Sequence, residues 1–294
     1  MAASLSLEAR STCRSTATPL ASHPMYLDYW QLSRKPFETP SAASGRFFAC
    51  ESQDGALLKL RYAVENGRAL AALAGPSGVG KTLLVRRLAE TTRPAKLVHL
   101  VFPQMSGRDL LAYLAERLGA PTASNATGSV EESVRRIEGL VNGTDTGRAL
   151  VVIDEAHLLE DTGALETLRL LTNFNDDGAT AFTLVLVGQM RLLSCVARHA
   201  ALDERLAVKT LVRGFTAAET AQYVRWRLTE AGAERELFDK GALQRLFTHT
   251  GGVARQIDRL CDLALVVGMS DQTPTLGSGQ IDAVQRELVT VGAD

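Results

Sequence analysis

The residues of the sequence with the most recognisable chemistry form a short glycine-rich segment. It fits the pattern Gly-x-x-x-x-Gly-Lys-Thr and stands between an apolar run and a helix-forming stretch. Glycines let the main chain approach a ligand closely, and backbone N–H groups at the start of a helix bind phosphate. A chance glycine-rich turn is the alternative, expected in roughly one of two hundred such sequences. The segment therefore predicts a nucleotide phosphate site. Its predicted contact residues are Gly75, Pro76, Ser77, Gly78, Val79, Gly80, Lys81 and Thr82.

Two side chains of this loop have chemistry beyond that of the main chain. Lys81 supplies a positive charge for the β and γ phosphates of a nucleotide, and the Thr82 hydroxyl is a ligand for magnesium. ATP and Mg²⁺ are therefore the ligands that the segment predicts.

Two adjacent carboxylates follow a second apolar run, at residues 150–153. Burying a pair of acids at the end of a core strand is costly unless a positive charge lies there, and nucleotide-bound magnesium is such a charge. We expect Asp154 to hold the ion directly or through water, and Glu155 to orient and polarise the attacking water. The alternative is a helix N-cap at Asp154, with Glu155 as a solvent-facing acid of the first turn. The upstream phosphate loop favours the catalytic interpretation.

The elements that must position these residues alternate between β-rich apolar runs and longer amphipathic stretches, from residue 69 to residue 213. The alternation predicts an α/β fold in which a parallel five-stranded sheet has helices on both faces, giving three layers. Ser106 with Asp109, and Ser129 with Glu132, have the spacing of helix caps, and a polar loop is predicted at 121–128. The predicted strands are 69–74, 96–102, 149–154, 182–188 and 208–212.

After Arg213 the strand-like runs stop and helical periodicity continues to the end of the sequence. Thr216 and Glu219 form a capping box for the first of these helices. We predict a small all-helical lid domain over 214–294, an α/β nucleotide-binding domain over 25–213 and a disordered tail over 1–24. Met25 opens the first segment typical of folded protein and is an alternative start to Met1.

The composition narrows the class of protein. Hydrophobic residues make up 46% of the 294 positions, enough for a sizeable core, and the 32 basic and 33 acidic residues nearly cancel. No overall field therefore attracts nucleic acid or an anionic membrane. The four cysteines form no CxxC pair, and no uncharged apolar run reaches the roughly 18 residues of a membrane-spanning helix. These features predict a cytoplasmic protein with reduced thiols and no membrane span.

Several further segments resemble the AAA+ ATPases of the ExeA type, the general secretion pathway protein A family. The resemblance extends from Met25 to about Gly268. It implies an AAA+ P-loop domain followed by a helical lid, ATP hydrolysis with magnesium, and a homo-oligomer. The segments that carry it are YLDYWQLSRKPF at 26–37, LLTNF at 170–174, LVGQ at 186–189, LDERLA at 202–207 and GGVAR at 251–255.

The resemblance also implies positions for two nucleotide sensors. The strand that ends at Gly188 should lie between the phosphate-loop strand and the Asp154 strand, which puts Gln189 beside the γ-phosphate as the sensor 1 residue. The alternative for Gln189 is a polar residue that caps the next helix. Arg255 resembles the sensor 2 arginine, although Ala254 stands where the family more often has proline.

An arginine finger is a further implication of the resemblance. Arg205 corresponds to the residue that one subunit supplies to the nucleotide of its neighbour, where it stabilises charge in the transition state. The alternative for Arg205 is a surface salt bridge to Asp203 or Glu204. Arg198 is the second candidate for the finger.

Two groups of residues have other possible interpretations. Asp154 to His157 spell the DEAH tetrad of helicases, but the chain after His157 is too short for the second RecA-like domain that a helicase needs. We expect His157 to make a local polar contact with a minor coupling role. Trp30 with Tyr26 and Tyr29 could stack on bases, but packing of this segment onto the core is the preferred interpretation.

The sequence leaves three functions open. The first is an ATP-driven, oligomeric switch related to the ExeA ATPase module. Its protein partner, from secretion or envelope machinery or from transposition machinery, is not identified by the sequence. The second is a DNA-associated ATPase that regulates transposition, which the near-neutral charge does not favour. The third is a nucleotide-binding scaffold without turnover. ExeA proteins continue into a transmembrane helix and a periplasmic region that these 294 residues do not include, so the resemblance transfers the ATPase module and not the secretion role.

Overall fold

The computed structural model of the chain describes residues 25–38, 47–118, 129–141, 147–175 and 182–290. The predicted tail at 1–24 and the predicted loop at 121–128 lie outside the described residues, as does Cys13.

Five parallel strands form one sheet, and their order confirms the predicted topology. The strands are β1 (Leu70–Ala74), β2 (Lys96–Leu100), β3 (Ala149–Ile153), β4 (Phe182–Gly188) and β5 (Leu206–Leu211). Their order across the sheet is β2-β3-β4-β1-β5, so β4 lies between the phosphate-loop strand β1 and the acidic strand β3.

Burial explains why these segments form strands. Every residue of β1, β3 and β4 is buried, as expected for central strands of a parallel sheet, which read as continuous apolar runs. The edge strands β2 and β5 mix buried with exposed positions. The strand boundaries agree with the sequence prediction to within two residues.

Helices cover both faces of the sheet and complete three layers. On one face, Leu60 and Leu84 pack against Leu73 of β1 and Val152 of β3. On the other face, Leu110, Leu168 and Leu192 pack against the remaining side chains of the same strands. The helices of this part are α1 (Met25–Trp30), α2 (Glu51–Glu65), α3 (Lys81–Thr92), α4 (Gly107–Arg117), α5 (Val130–Val141), α6 (Ala164–Leu171), α7 (Arg191–Ala197) and α8 (Ala200–Asp203).

The predicted caps are present. The Ser106 hydroxyl accepts a hydrogen bond from the Asp109 N–H at 3.2 Å, and the Ser129 hydroxyl accepts one from the Glu132 N–H at 3.1 Å. Within α5, Ile137 is buried, whereas Val130 at the first helical position is 46% exposed.

The region after Arg213 is helical, as predicted. The helices are α9 (Ala217–Glu230), α10 (Lys240–Thr250), α11 (Ala254–Ser270) and α12 (Ser278–Thr290). Thr216 and Glu219 form the capping box at the start of α9. A hydrophobic core of its own, distinct from the two sheet cores, joins these helices.

Helix α1 packs against α11. The Trp30 indole N–H donates to the Leu265 carbonyl at 2.8 Å, and the Tyr26 hydroxyl donates to Asp262 Oδ1 at 2.8 Å. Trp30 is 1% exposed, so its ring is not available for stacking on bases. The segment at 25–38 was predicted as part of the α/β domain, and its contacts lie with the helices after Arg213. The division of the chain into domains remains a prediction.

Among the described residues, no helix combines the length and the apolar character required to cross a bilayer. Three cysteines in the described part of the chain, Cys50, Cys195 and Cys261, are buried free thiols.

Candidate nucleotide site

The glycine-rich loop connects β1 to α3, and its geometry explains its glycines. Gly78 and Gly80 have φ of 83° and 95°, the left-handed region that favours glycine, and Gly80 is the N-cap of α3. A Cβ on Gly75 would lie 2.4 Å from the carbonyl oxygen of Val212, so this position also excludes a side chain. The loop is therefore shaped as a main-chain cradle at a helix N-terminus.

Lys81 lies within the loop rather than in solvent. Its Nζ donates hydrogen bonds of 2.9 Å to the carbonyls of Gly75 and Pro76. Burial lowers the pKa of Lys81 from its ordinary value, while Glu155 and Asp154 act in the opposite direction. The ammonium group is held by neutral carbonyls, which anionic phosphates can replace as stronger partners.

Asp154 lies at the end of β3, directly beside the loop. Its Oδ2 accepts a 3.1 Å hydrogen bond from the Thr82 hydroxyl, its Oδ1 accepts one of 3.0 Å from the Glu155 N–H, and His99 Nε2 lies 3.7 Å away. Burial alone would raise the pKa of Asp154, but His99 and the two hydrogen bonds lower it below the ordinary value. A buried carboxylate that stays ionised beside a hydroxyl is a donor set that suits magnesium.

Glu155 follows in a strained backbone conformation, with φ of 50°. Its side chain is 37% exposed, and Oε2 lies 3.3 Å from Nδ1 of His157. The same Nδ1 accepts a hydrogen bond of 3.4 Å from the Gln189 N–H. The predicted local contact of His157 is therefore with Glu155 and with the main chain at the end of β4.

Arg255 reaches the loop from the helical region. Its backbone N–H donates to the Gly78 carbonyl at 3.1 Å, and a Cβ on Gly78 would lie 2.9 Å from the Arg255 Cβ. The first turn of α11 therefore rests on the phosphate loop. The Arg255 guanidinium is one of the charges that lower the pKa of Lys81.

A cavity of about 580 Å³ lies between the loop and the helical region. Its volume falls in the range of small-molecule and cofactor pockets. Its lining includes the loop from Ser77 to Thr82, together with Asp154, Glu155 and Arg255. The lining also includes six aromatic residues. The aromatic residues are Phe37, Phe47, Phe48, Phe215, Tyr223 and Trp226.

The sequence did not indicate several residues that line this cavity. Gln53, which is 5% exposed, projects from α2 and donates from Nε2 to the Val79 carbonyl at 3.1 Å. Asp258 accepts a 2.8 Å hydrogen bond from the Tyr223 hydroxyl, and burial raises the pKa of Asp258 to about 6. For Asp258, the only sign of a role in the site that the sequence contains is its position one helical turn after Arg255.

Three predicted site residues do not line the cavity as the structure describes it. Gln189 lies at the end of β4 and reaches the site through His157. Arg205 donates a 2.8 Å hydrogen bond to Asn173 Oδ1. Arg198 is paired with Glu160, at 2.7 Å from Nε to Oε1.

Residues 64–196 match the family model described as AAA domain. This AAA domain match includes the phosphate loop, the acidic pair and β4, and it is consistent with the five-stranded sheet.

The resemblance to general secretion pathway protein A is confirmed. The chain is 30% identical over 268 residues to General secretion pathway protein A of Aeromonas hydrophila, which covers 90% of this chain. The chain spans 48% of the length of that relative.

Solved structures with the same fold support the AAA-type architecture. Cdc6p of Pyrobaculum aerophilum has a TM-score of 0.64 at 19% identity, with 83% of this chain and 68% of that chain covered. The ORC2 protein of Aeropyrum pernix has a TM-score of 0.62 at 15% identity, with 87% and 72% covered. The RuvB branch migration motor of Thermotoga maritima has a TM-score of 0.57 at 18% identity, with 84% and 72% covered. At these identities the likeness concerns the fold alone.

Proposed function

We propose that the chain binds and hydrolyses ATP in the cavity between the phosphate loop and the helical region. The observation that carries the proposal is the hydrogen bond from Thr82 to Asp154, which joins the glycine-rich loop to the acid that ends β3. A loop that cradles phosphates and an ionised, buried carboxylate meet at one point, beside a cavity large enough for a nucleotide.

Each side chain of the site has a separate role in this proposal. The main chain of residues 75–82 binds the phosphates, and Lys81 exchanges the carbonyls of Gly75 and Pro76 for the β and γ phosphates. Glu155 accepts a proton from the attacking water and orients it. The aromatic side chains in the lining of the cavity offer stacking surfaces to the base.

Magnesium fits this site because Thr82 Oγ1 and Asp154 supply the hard oxygen ligands that it prefers. When bound, the ion neutralises charge on the phosphates. Within the part of the chain that the structure describes, no group of three or more His, Cys, Asp or Glu side chains forms a separate metal site.

Two arginines and a glutamine complete the proposed site. Arg255 acts as sensor 2, because its backbone N–H contacts the phosphate loop at the Gly78 carbonyl. Gln189 acts as sensor 1 through the end of β4. Arg205 does not line the cavity of its own subunit as described, which supports a role at the nucleotide of a neighbouring subunit in a homo-oligomer.

Steady-state phosphate release with matched variants tests the proposal. The intact protein should hydrolyse ATP in the presence of Mg²⁺, Lys81→Ala should abolish binding, and Glu155→Gln should bind ATP with turnover reduced at least about 100-fold. Lys59→Ala and Glu131→Gln, both at exposed positions, are the controls. Binding without phosphate release by the intact protein would instead favour a scaffold, and absence of binding would contradict the proposal.

Mixing of variants tests the role of Arg205. Arg205→Ala retains its own phosphate loop, and Lys81→Ala retains its arginine, so each should be inactive alone. If the arginine acts across an interface, a mixture should recover activity and sediment as an oligomer with ATP. No recovery at any ratio would contradict a role in trans. An ATP-dependent mobility shift of duplex DNA in the same preparation would favour a DNA-associated role over a secretion-related one.

A further inference from the structure

The Nδ1 atom of His157 lies close to two groups, one that donates a hydrogen bond and one that accepts. Its Nδ1 lies 3.4 Å from the N–H of Gln189 and 3.3 Å from Oε2 of Glu155. A backbone N–H is always a donor, and the nitrogen that receives it carries no hydrogen of its own in a neutral imidazole. Nδ1 therefore has no proton to donate to Glu155.

The surroundings of the His157 imidazole favour its neutral form. The residue is 4% exposed, and burial, followed by the Arg191 guanidinium, lowers its pKa from the ordinary value. The contact with Glu155 is consequently a contact between two acceptors rather than an ion pair. In agreement, Glu155 Oε2 is buried with no hydrogen-bond partner among the described residues.

A buried carboxylate oxygen without a donor costs free energy, which the side chain recovers by turning toward a donor. The partly exposed Glu155 side chain lines the cavity, where water is available. The ring therefore favours the orientation of Glu155 that faces the cavity.

The same ring contacts the end of β4, which the phosphate loop also contacts. A Cβ on Gly188 would lie 3.2 Å from His157 Nδ1, and the Gly188 carbonyl accepts a 3.2 Å hydrogen bond from the Gly75 N–H. The end of β4 therefore lies in contact with both the first residue of the loop and the imidazole.

We propose that His157 is a positioning residue for Glu155, and that its Nδ1 couples the carboxylate to the end of β4. The inference rests on the proposed function, because it assigns Glu155 the role of orienting water. It predicts that a polar atom at the position of Nδ1 matters for turnover, and that the rest of the ring does not.

Two amide variants separate these requirements. Asparagine can place an acceptor near the position of Nδ1, whereas the longer glutamine places it near Nε2. We expect His157→Asn to keep kcat within about threefold of the intact protein, and His157→Gln and His157→Ala to lower kcat about tenfold. ATP affinity, measured by calorimetry, should change less than about twofold in all three.

A double-mutant comparison tests the link to Glu155. In a Glu155→Gln background, single-turnover hydrolysis should show no further loss on His157→Gln, because the group that the ring positions is already absent. A purely structural role would instead give the same loss in both backgrounds, together with a lower melting temperature.

The outcomes are distinguishable from failure of the ATPase proposal. If the intact protein does not hydrolyse ATP, the proposed function fails. If the intact protein is active and His157→Asn loses as much turnover as His157→Gln, or if ATP affinity falls in parallel with kcat, only the role of His157 is contradicted. Melting curves establish that each variant is folded.

Discussion

The Thr82 hydroxyl donates a 3.1 Å hydrogen bond to Oδ2 of Asp154, across 72 positions of sequence. Thr82 is in the first turn of α3, and Asp154 follows β3, which is separated from β1 by β4. The contact joins the phosphate cradle to the acidic end of the sheet.

Replacing Thr82 by valine should weaken ATP binding only when magnesium is present. Valine is similar in volume but lacks the oxygen that serves as ligand, and the loss of one charge-assisted contact corresponds to about a tenfold change in affinity. Calorimetric titration with Mg²⁺ and with EDTA measures the difference. Thr92→Val in the same helix, where the hydroxyl bonds to the Leu88 carbonyl, is the control. Equal weakening in both buffers would contradict the prediction.

Replacing Gln53 by leucine should weaken ATP binding with or without magnesium. Gln53 Nε2 donates to the Val79 carbonyl, and leucine removes this donor from a buried position. An unsatisfied buried acceptor costs about 1–3 kcal/mol, which corresponds to about a tenfold or greater loss of affinity if the loop changes conformation. Gln244→Leu, at an exposed position of α10, should have no such effect. Unchanged affinity in Gln53→Leu would show that α2 does not support the loop.

The stability of the protein without nucleotide should depend on pH through Asp258. Burial raises the pKa of Asp258 to about 6, above the ordinary value of 3.8. The protonated form therefore favours the native state, so this contribution is complete below about pH 4 and is lost as the pH rises through 6. The difference in pKa corresponds to about 3 kcal/mol at most.

Asp258→Asn removes this titration and should be more stable than the intact protein at pH 8. Its stability advantage should shrink toward pH 4, because the native Asp258 is then protonated as well. Urea unfolding at both pH values measures the change, with the exposed Asp271→Asn as the control. An advantage that is independent of pH would contradict the assignment to Asp258.

Two adjacent glycines should respond very differently to alanine. Gly251 and Gly252 both have positive φ, of 56° and 75°. A Cβ on Gly251 meets nothing within 4 Å, whereas one on Gly252 would lie 1.9 Å from the Phe215 carbonyl oxygen. Gly251→Ala should cost about 1–2 kcal/mol from backbone strain alone.

Gly252→Ala should be more destabilising, because the clash disrupts the turn in which the Phe215 N–H donates to the Gly252 carbonyl at 2.8 Å. This turn connects the start of α9 to α11, the helix that rests on the phosphate loop. Thermal unfolding compares the two variants, and ATP affinity should fall only in Gly252→Ala. Similar melting temperatures would contradict the difference.

Much of the fold was predictable because its signals are local. Continuous apolar runs give β1, β3 and β4, which are buried on both faces, and serine or threonine followed by an acid gives the caps of α4, α5 and α9. The position of β4 between β1 and β3 came from the family resemblance, since a run of apolar residues does not indicate which strand it will neighbour.

The site was predictable where chemistry is concentrated in short motifs, and not where it is assembled from single residues. Gln53, His99 and Asp258 reach the cavity or Asp154 from α2, β2 and α11, and no spacing within the sequence connects them. The hydrogen bond from Arg205 to Asn173 illustrates the same limit, because the two residues are 32 positions apart in the sequence.

The sequence by itself determined the glycine-rich cradle, the acidic pair and the alternation of strand and helix, because these depend on backbone conformation and on residues close together in the chain. Only the tertiary structure decided that Thr82 meets Asp154 and that α11 rests on Gly78. It also decided that Nδ1 of His157 lies beside both the Gln189 N–H and the Glu155 carboxylate. Such contacts depend on how the parallel sheet brings the carboxyl ends of distant strands to one edge, and that arrangement is fixed by packing of the whole core.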